Sequence, residues 1–169
     1  MEFRDLKKQY QTHKKEIDEA INNVLAKGDF ISGNEVSVLE KRLAQYIGVK
    51  HCITCANGTD ALSLVLMAWG INQGDAVFVP DFTFFATAEA VSFCGATPIF
   101  VDVDEDTFNI DVDKLEKSII KVINEGRLNP RVIIPVDLFG LPADHINIER
   151  VAKTYGLKVL DDAAQGFGG

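Results

Sequence analysis

A chain of 169 residues, of which 47% are hydrophobic and 25% are charged, is long enough to form one domain with a sizeable core. Its net charge of −8 excludes a sequence-independent nucleic-acid binder, because phosphate backbones require a cationic surface. No apolar run is long enough to span a bilayer and no signal-peptide core follows Met1, so we expect a cytoplasmic protein that does not associate with membranes.

Two amphipathic helices are predicted in residues 1–48. Residues 11–27 have a helical repeat, and its apolar stripe contains Ile17, Ile21, Val24 and Leu25. Residues 28–33 interrupt the pattern with two glycines. A second helix follows, and its predicted inward face consists of Val36, Leu39, Leu43 and Ile47. Gly48 ends this helix, because glycine readily adopts the left-handed conformation found at helix ends.

Strand-like and helix-like segments alternate from residue 49 onwards. Strands are predicted at residues 51–55, 76–80, 97–101, 131–136 and 158–160. Helices are predicted at residues 59–69, 84–93, 113–124 and 146–155. Alternation of this kind requires crossover connections and therefore a mostly parallel sheet. We expect a three-layer α/β/α fold, with residues 1–48 as N-terminal helices and residues 49–169 as the sheet core.

Cys52 and Cys55 form a Cys-x-x-Cys motif beside His51. In a strand, residues three positions apart face opposite sides of the sheet, and a second pair of ligands is missing. We therefore expect buried structural thiols here and no metal site.

Gly58 and Thr59 follow a predicted strand and open a predicted helix. The amide groups and the dipole at a helix N-terminus attract phosphate, and glycine permits close approach of the backbone. The same residues could instead form an ordinary helix cap.

Asp161 and Asp162 end the last predicted strand, so their side chains are expected to point to opposite faces. This excludes a carboxylate dyad that shares a proton. One carboxylate would face the ligand edge of the sheet, where it could keep a heteroaromatic nitrogen protonated. The alternative is a capped strand end.

Two further segments have competing interpretations. Phe82, Phe84 and Phe85 could stack on a planar ring, but core packing is expected for at least two of them. The run that starts at Asp102 resembles the nucleophile loop of aspartate-dependent phosphatases, although Asp106 breaks that pattern. A solvated acidic turn is the alternative.

Taken in order, these segments resemble the N-terminal part of the DegT/DnrJ/EryC1/StrS family of sugar aminotransferases. The matching segments include Phe30-Ile31-Ser32-Gly33, Ala56-Asn57-Gly58-Thr59-Asp60-Ala61-Leu62, Gly95-Ala96-Thr97-Pro98 and Asp161-Asp162-Ala163-Ala164-Gln165. The resemblance covers nearly the whole chain. It implies the large domain of the aspartate-aminotransferase-type (fold type I) fold, with pyridoxal 5'-phosphate (PLP) as cofactor.

The resemblance also implies a role for each matching position. Gly58 and Thr59 would bind the phosphate of PLP, and Phe84 would stack on its ring. Asp162 would pair with the pyridine nitrogen, and Gln165 would lie near the ring hydroxyl. Family members form homodimers and transfer an amino group, often from glutamate, to a keto sugar attached to a nucleotide, so these are the implied partners and substrates.

The sequence departs from the family at two points. Asp137 stands where many members have histidine, in a segment expected to line the sugar side. The lysine that forms the Schiff base is expected beyond Gly169, as is the small C-terminal domain, and Lys114, Lys117, Lys121 and Lys158 are not expected to replace it. The chain alone is therefore expected to be inactive. A downstream histidine would indicate a sugar dehydratase of the same family, and a non-catalytic regulatory module is a further alternative.

Overall fold

The computed structural model describes residues 5–168. It divides the chain into two compact units, Met1–Thr54 and Cys55–Gly169. Within the described part, none of the helices is both long enough and apolar enough to cross a membrane.

The first unit contains the two predicted helices, α1 (Leu6–Lys27) and α2 (Asn34–Ile47). The carboxylate of Asp5 caps α1 by accepting a hydrogen bond from the backbone nitrogen of Lys8 at 2.8 Å. Gly28 and Gly48 end the two helices with φ of 69° and 79°, so the predicted helix ends are confirmed. Such positive φ values strain any residue with a Cβ atom.

The apolar stripes of these helices are not buried in the unit. α1 has no buried residue, and α2 buries only Ala44. Ile21 and Leu25 are more than half exposed, and Leu39 and Ile47 are nearly half exposed. The prediction that these residues of α2 face inward is therefore wrong for this unit, because most of them remain exposed.

Residues 51–55 do not form the predicted strand. They adopt irregular backbone, and Ile53 is 84% exposed. Cys55 is also exposed and Cys52 is only half-buried, so the expectation of buried thiols is wrong. A strand requires a hydrogen-bonded neighbour, and the four-stranded sheet of the structure supplies none for this segment.

The second unit is built on a parallel sheet of four strands. They are β1 (Asp75–Pro80), β2 (Thr97–Val101), β3 (Asn129–Ile133) and β4 (Lys158–Val159). Their order across the sheet is β2-β1-β3-β4, and every pairing is parallel. The connecting helices are α3 (Gly58–Ala68), α4 (Ala86–Phe93), α5 (Val112–Glu125) and α6 (His145–Tyr155).

Each face of the sheet carries its own hydrophobic core. On one face, Phe78 and Ile133 pack with Leu115, Ile119 and Ile148 from α5 and α6. On the other face, the core contains Val77 and Val79 of β1, Val132 of β3 and the adjoining Ile134, together with Leu62, Leu66 and Val91 from α3 and α4. Successive residues of a strand point to opposite faces, so continuously apolar strands supply both cores. The predicted three-layer α/β/α fold is confirmed.

Candidate functional site

A cavity of about 250 Å³ lies at the carboxyl edge of the sheet, beside the N-terminus of α3. It is lined by Gly58, Thr59, Leu62, Thr83, Phe84, Ala86, Val136, Leu138, Asp162, Ala164 and Gln165. All five residues predicted to contact a cofactor are in this set. The structure therefore brings together residues from the two ends of the second unit.

The N-terminus of α3 presents free backbone donors to this cavity. Asn57 caps the helix, because its side-chain oxygen accepts from the nitrogen of Asp60 at 2.8 Å and its carbonyl accepts from Ala61. Within residues 5–168, the nitrogens of Gly58 and Thr59 have no acceptor. A Cβ atom added to Gly58 would meet nothing within 4 Å. Two amides and open space next to them suit an anion that approaches the backbone closely.

Asp162 also lines the cavity. Its backbone nitrogen donates to the carbonyl of Pro135 at 3.0 Å, and its carbonyl accepts from Asp137 at 3.2 Å. This isolated parallel bridge continues the pairing of β3 and β4 beyond the strands themselves. Its side-chain Oδ2 accepts from the hydroxyl of Thr87 at 2.9 Å. The backbone ladder and the hydroxyl together fix the direction of the carboxylate.

Asp161 belongs to a different cluster, which also contains Asp137 and His145. Nε2 of His145 lies 3.2 Å from Oδ1 of Asp137 and 3.8 Å from Oδ1 of Asp161. Burial raises the pKa of the Asp161 carboxyl, and the charges of Asp137 and Asp162 act in the same direction, whereas His145 opposes them. Neighbouring residues of one strand end thus have separate surroundings, as expected from their alternation.

The cluster of Asp137, His145 and Asp161 has three potential metal-ligand atoms within 4.8 Å of one another. Nε2 of His145 hydrogen-bonds Asp137 and lies at ion-pair distance from Asp161, so the cluster has partners of its own without a metal ion. Asp137 also accepts from the backbone nitrogen of Ala143 at 2.9 Å and is almost fully buried. It is not one of the residues that line the cavity, although its neighbours Val136 and Leu138 are. Its side chain stabilises the loop that leads to Ala143 instead.

Gln165 lines the same cavity as Asp162. Its Oε1 accepts from the backbone nitrogen of Phe139 at 2.7 Å. Because the amide oxygen is engaged there, its NH₂ group is the part left to donate to a ligand. Gly166 follows directly, and a Cβ atom at this position would lie 2.4 Å from Cβ of Asp137. Only glycine allows the chain to pass this close to the buried loop.

The aromatic residues after β1 are exposed. Phe84 lines the cavity and is 72% exposed, and Phe85 is equally exposed. Phe82 packs its ring against Phe108 with 5.7 Å between centroids and is about half exposed. The expectation that at least two of the three belong to the core is wrong. They lie in the loop between β1 and α4, at the edge of the sheet where no layer covers them.

Cationic side chains do not line this cavity within the described residues. The ammonium group of Lys114 is engaged with Asp102 at 2.6 Å, and that of Lys158 lies over the ring of Trp69 at 4.6 Å from its centroid. Lys117 and Lys121 lie on α5. An anion in the cavity would depend on backbone amides.

The acidic segment after β2 is a hydrogen-bonded turn. Oδ1 of Asp104 accepts from the backbone nitrogens of Asp106 and Thr107 and from the Thr107 hydroxyl. These bonds lower the pKa of the Asp104 carboxyl, with the Thr107 amide as the largest cause. The side chain thus stabilises the turn.

A larger cleft of about 600 Å³ lies at the N-termini of α5 and α6. Its acidic residues include Asp111 and Asp144, which cap these helices by accepting from the nitrogens of Lys114 and Asn147. Those carboxylates already have structural partners. The greater volume of this cleft therefore does not make it a better candidate for a ligand site than the smaller cavity. The smaller cavity combines unpaired amides, an oriented carboxylate and an oriented amide.

Thr83 and Thr87 are site residues that sequence reasoning did not identify. Thr87 is fully buried and reaches Asp162, while Thr83 lines the cavity and lies 3.2 Å from Thr87, measured between hydroxyl oxygens. The spacing of these two threonines could have indicated them. They are four positions apart at the start of a predicted helix, and this spacing puts two side chains on the same face of a helix.

Comparisons with known proteins found a matching family, similar sequences and similar structures. The model of the DegT/DnrJ/EryC1/StrS aminotransferase family matches residues 11–169. A Pseudomonas aeruginosa protein named UDP-2-acetamido-2-deoxy-3-oxo-D-glucuronate aminotransferase is 48% identical over 168 residues, which are 99% of this chain and 45% of that protein.

Two solved structures are similar over most of the chain. One is a DegT DnrJ EryC1 StrS aminotransferase from Brucella abortus, with 52% identity and a TM-score of 0.98, covering 99% of this chain and 45% of that one. The other is ntda from Bacillus subtilis with bound cofactor PMP, with 38% identity and a TM-score of 0.85, covering 93% of this chain and 34% of that one. The chain thus spans less than half the length of these relatives.

Proposed function

The chain belongs to the DegT/DnrJ/EryC1/StrS aminotransferase family, and from this premise we propose that it is the N-terminal part of a PLP-dependent sugar aminotransferase. The complete enzyme transfers an amino group from an amino acid such as glutamate to a keto sugar carried by a nucleotide. The name of the Pseudomonas aeruginosa relative, with its UDP-linked oxo sugar, supports this substrate class.

One observation carries the proposal: a single cavity is lined both by backbone amides that can donate to a phosphate and by an oriented carboxylate. The amides of Gly58 and Thr59, with the dipole of α3, would hold the phosphate of PLP. Phe84 would stack on the ring and Asp162 would pair with the ring nitrogen. Gln165, whose amide oxygen already accepts from Phe139, would donate its NH₂ group to the ring hydroxyl. When bound, PLP supplies an electron sink for carbon–nitrogen chemistry.

The described residues fit this cofactor on physical grounds. The open space at Gly58 admits the phosphate against the backbone, and the cavity walls from Leu62, Ala86 and Leu138 are apolar, as a planar ring requires. Asp162 carries a carboxylate that can hold a proton on a ring nitrogen. A lysine is not among the cavity-lining residues that the structure describes, so the amine that attaches PLP comes from another part of the whole protein.

The test uses the protein encoded by the complete reading frame, mixed with PLP, glutamate and a nucleotide-linked keto sugar. Mass spectrometry is expected to detect the amino sugar and an equal amount of 2-oxoglutarate. Loss of water from the sugar without consumption of glutamate would instead establish the dehydratase alternative. Binding of neither PLP nor PMP would contradict the proposed function, and would leave the regulatory module as the remaining hypothesis.

A second experiment concerns the 169-residue chain alone. The proposal requires that it bind PLP weakly and catalyse no transfer, because its cavity has no lysine. Turnover of glutamate by this chain would contradict that assignment.

The proposal extends to assembly and location. The complete enzyme is a cytoplasmic homodimer that supplies amino sugars for polysaccharide synthesis. Support comes from the family membership and from the exposed Phe84 and Phe85 beside the cavity, which a neighbouring surface would cover. Sedimentation of the complete protein measures its oligomeric state, and a monomer at micromolar concentration would contradict the dimer.

A further inference from the structure

A pair of hydroxyl groups supports Asp162 from the side of α4. Thr87, in the first turn of α4, is fully buried, and its Oγ1 lies 2.9 Å from Oδ2 of Asp162, which is 75 positions away in the sequence. Oγ1 of Thr83 lies 3.2 Å from Oγ1 of Thr87. The three side chains form one hydrogen-bonded row that runs from the cavity wall to the carboxylate.

The direction of each hydrogen bond follows from the number of protons available. A hydroxyl has one proton to donate, and an ionised carboxylate can only accept. Thr87 therefore donates to Asp162, and this leaves its oxygen as the acceptor for the proton of Thr83. If Asp162 carried a proton towards Thr87, both bonds would reverse. With an ionised Asp162, both hydrogen bonds of the row therefore donate towards the carboxylate, from Thr83 to Thr87 and from Thr87 to Asp162.

This row distinguishes the two oxygens of Asp162. Oδ2 has a short bond from Thr87, whereas Oδ1 has only a 3.4 Å contact from the nitrogen of Ala164. Oδ1 is therefore the oxygen with the greater capacity to accept a further donor. Threonine is suited to this task because its branched Cβ restricts rotation about χ1.

We propose that Thr87 is a positioning residue that holds the Asp162 carboxylate with Oδ1 towards the ring nitrogen of the cofactor, and that Thr83 orients the Thr87 hydroxyl. This inference rests on the proposed function. Thr87 acts through Asp162 and needs no contact with the ring. Its contribution is to prevent rotation of the carboxylate, so that the proton on the ring nitrogen always has an acceptor.

The experiment uses the complete protein with PMP labelled with ¹⁵N in the pyridine ring. T87V removes the hydroxyl and keeps the shape of the side chain, whereas T87S keeps the hydroxyl and removes a methyl group. Fluorescence titration measures the Kd for PMP, and the ¹⁵N chemical shift reports protonation of the ring nitrogen as a function of pH.

T87V is expected to raise the Kd for PMP by about tenfold, as loss of a hydrogen bond to a charged group does, and to move deprotonation of the ring nitrogen to lower pH. T87S is expected to restore both to within about twofold of the unmodified protein. Equal affinity and an equal ¹⁵N titration in T87V would overturn the inference. A T87S variant as impaired as T87V would also overturn it, because the methyl group would then be what matters.

A second variant covers the case in which T87V does not fold. T83V leaves Thr87 in place but removes the group that orients its hydroxyl, so the ¹⁵N titration is expected to shift in the same direction by a smaller amount. An unchanged titration in T83V would overturn the role of the row. Failure of the unmodified protein to bind PMP would refute the proposed function itself, and is thereby distinguished from failure of the Thr87 assignment alone.

Discussion

Gln165 and Phe139 are joined by a 2.7 Å hydrogen bond from the Phe139 backbone nitrogen to the Gln165 side-chain oxygen. Phe139 has a φ of 58°, which is strained for a residue with a large side chain. The bond holds this strained turn beside the cavity. It also determines which end of the Gln165 amide can meet a ligand.

Replacement of Gln165 by glutamate separates these two functions. A glutamate oxygen can still accept from Phe139, so the free energy of unfolding is expected to stay within about 0.5 kcal/mol of its original value. The second oxygen cannot donate to a ring hydroxyl, so affinity for PMP is expected to fall by about tenfold or more. Thermal unfolding and PMP titration measure the two quantities.

Q165A is the matched control, because it removes both functions. It is expected to lower the free energy of unfolding by about 1 kcal/mol and also to weaken PMP binding. If Q165E bound PMP as tightly as the unmodified protein, donation by the Gln165 amide would have to be abandoned.

A methyl group at position 58 is expected to obstruct the phosphate without harming the fold. A Cβ atom at Gly58 meets nothing within 4 Å, and alanine is well suited to the first turn of a helix. G58A is therefore expected to keep its thermal stability, while its affinity for PMP falls at least tenfold through loss of close amide contact. Unchanged PMP affinity would show that the phosphate lies elsewhere.

The opposite result is expected at Gly166. A Cβ atom there would lie 2.4 Å from Cβ of Asp137 and 2.6 Å from its Oδ2, and Asp137 is buried with its other oxygen bonded to Ala143. G166A is expected to lower the free energy of unfolding by roughly 1–3 kcal/mol, as overpacking does. Chemical denaturation of G166A and G58A in parallel tests the contrast, and equal stability of the two variants would contradict it.

Substitutions around Asp161 are expected to shift its titration in opposite directions. D137N removes a charge that raises the pKa of Asp161, so the pKa of Asp161 should fall. H145Q removes the group that lowers the pKa of Asp161, so in this variant the pKa should rise further. Titration of ¹³C-labelled aspartate carboxyls by NMR measures both changes. Shifts of the same sign in the two variants would contradict the cluster described above.

The same titration has a consequence for stability. Because the folded pKa of Asp161 lies above its unfolded value, its contribution to stability is fully present below the unfolded pKa. That contribution is lost as pH rises from the unfolded pKa through the raised one. D137N should reduce this loss, and comparison of the pH–stability curves of D137N and the unmodified protein measures the change.

The sequence predicted the layers of the fold, because they depend on local patterns: the apolar runs of β1 and β3 indicated strands covered on both faces. The pair Asp161-Asp162 follows from the ligand edge of a parallel sheet, whereas the choice of Asp162 came from the family resemblance. Gly58 was expected after a strand that the structure does not form. Residues 51–55 have the same kind of pattern but no partner strand. An apolar run can indicate that a segment has the composition of a strand. Whether the segment pairs with another strand depends on residues that are distant in the sequence.

The supporting contacts of the site could not be predicted in the same way. The bond between Gln165 and Phe139 requires a positive φ at a phenylalanine, which no propensity favours. The bond between Thr87 and Asp162 requires the crossover connections of the sheet to bring α4 next to the end of β4. Such contacts depend on tertiary geometry, and the sequence reveals only which residue types are able to make them.

The separation of the cavity walls along the chain links ligand binding to the completion of folding. The α3 amides and Asp162 come from opposite ends of the second unit, so a chain in which these two ends have not come together lacks the binding site. A ligand that binds only the folded state stabilises it by mass action. In a cell, a ligand that occupies this cavity would therefore raise the folded fraction of the chain and slow its proteolysis.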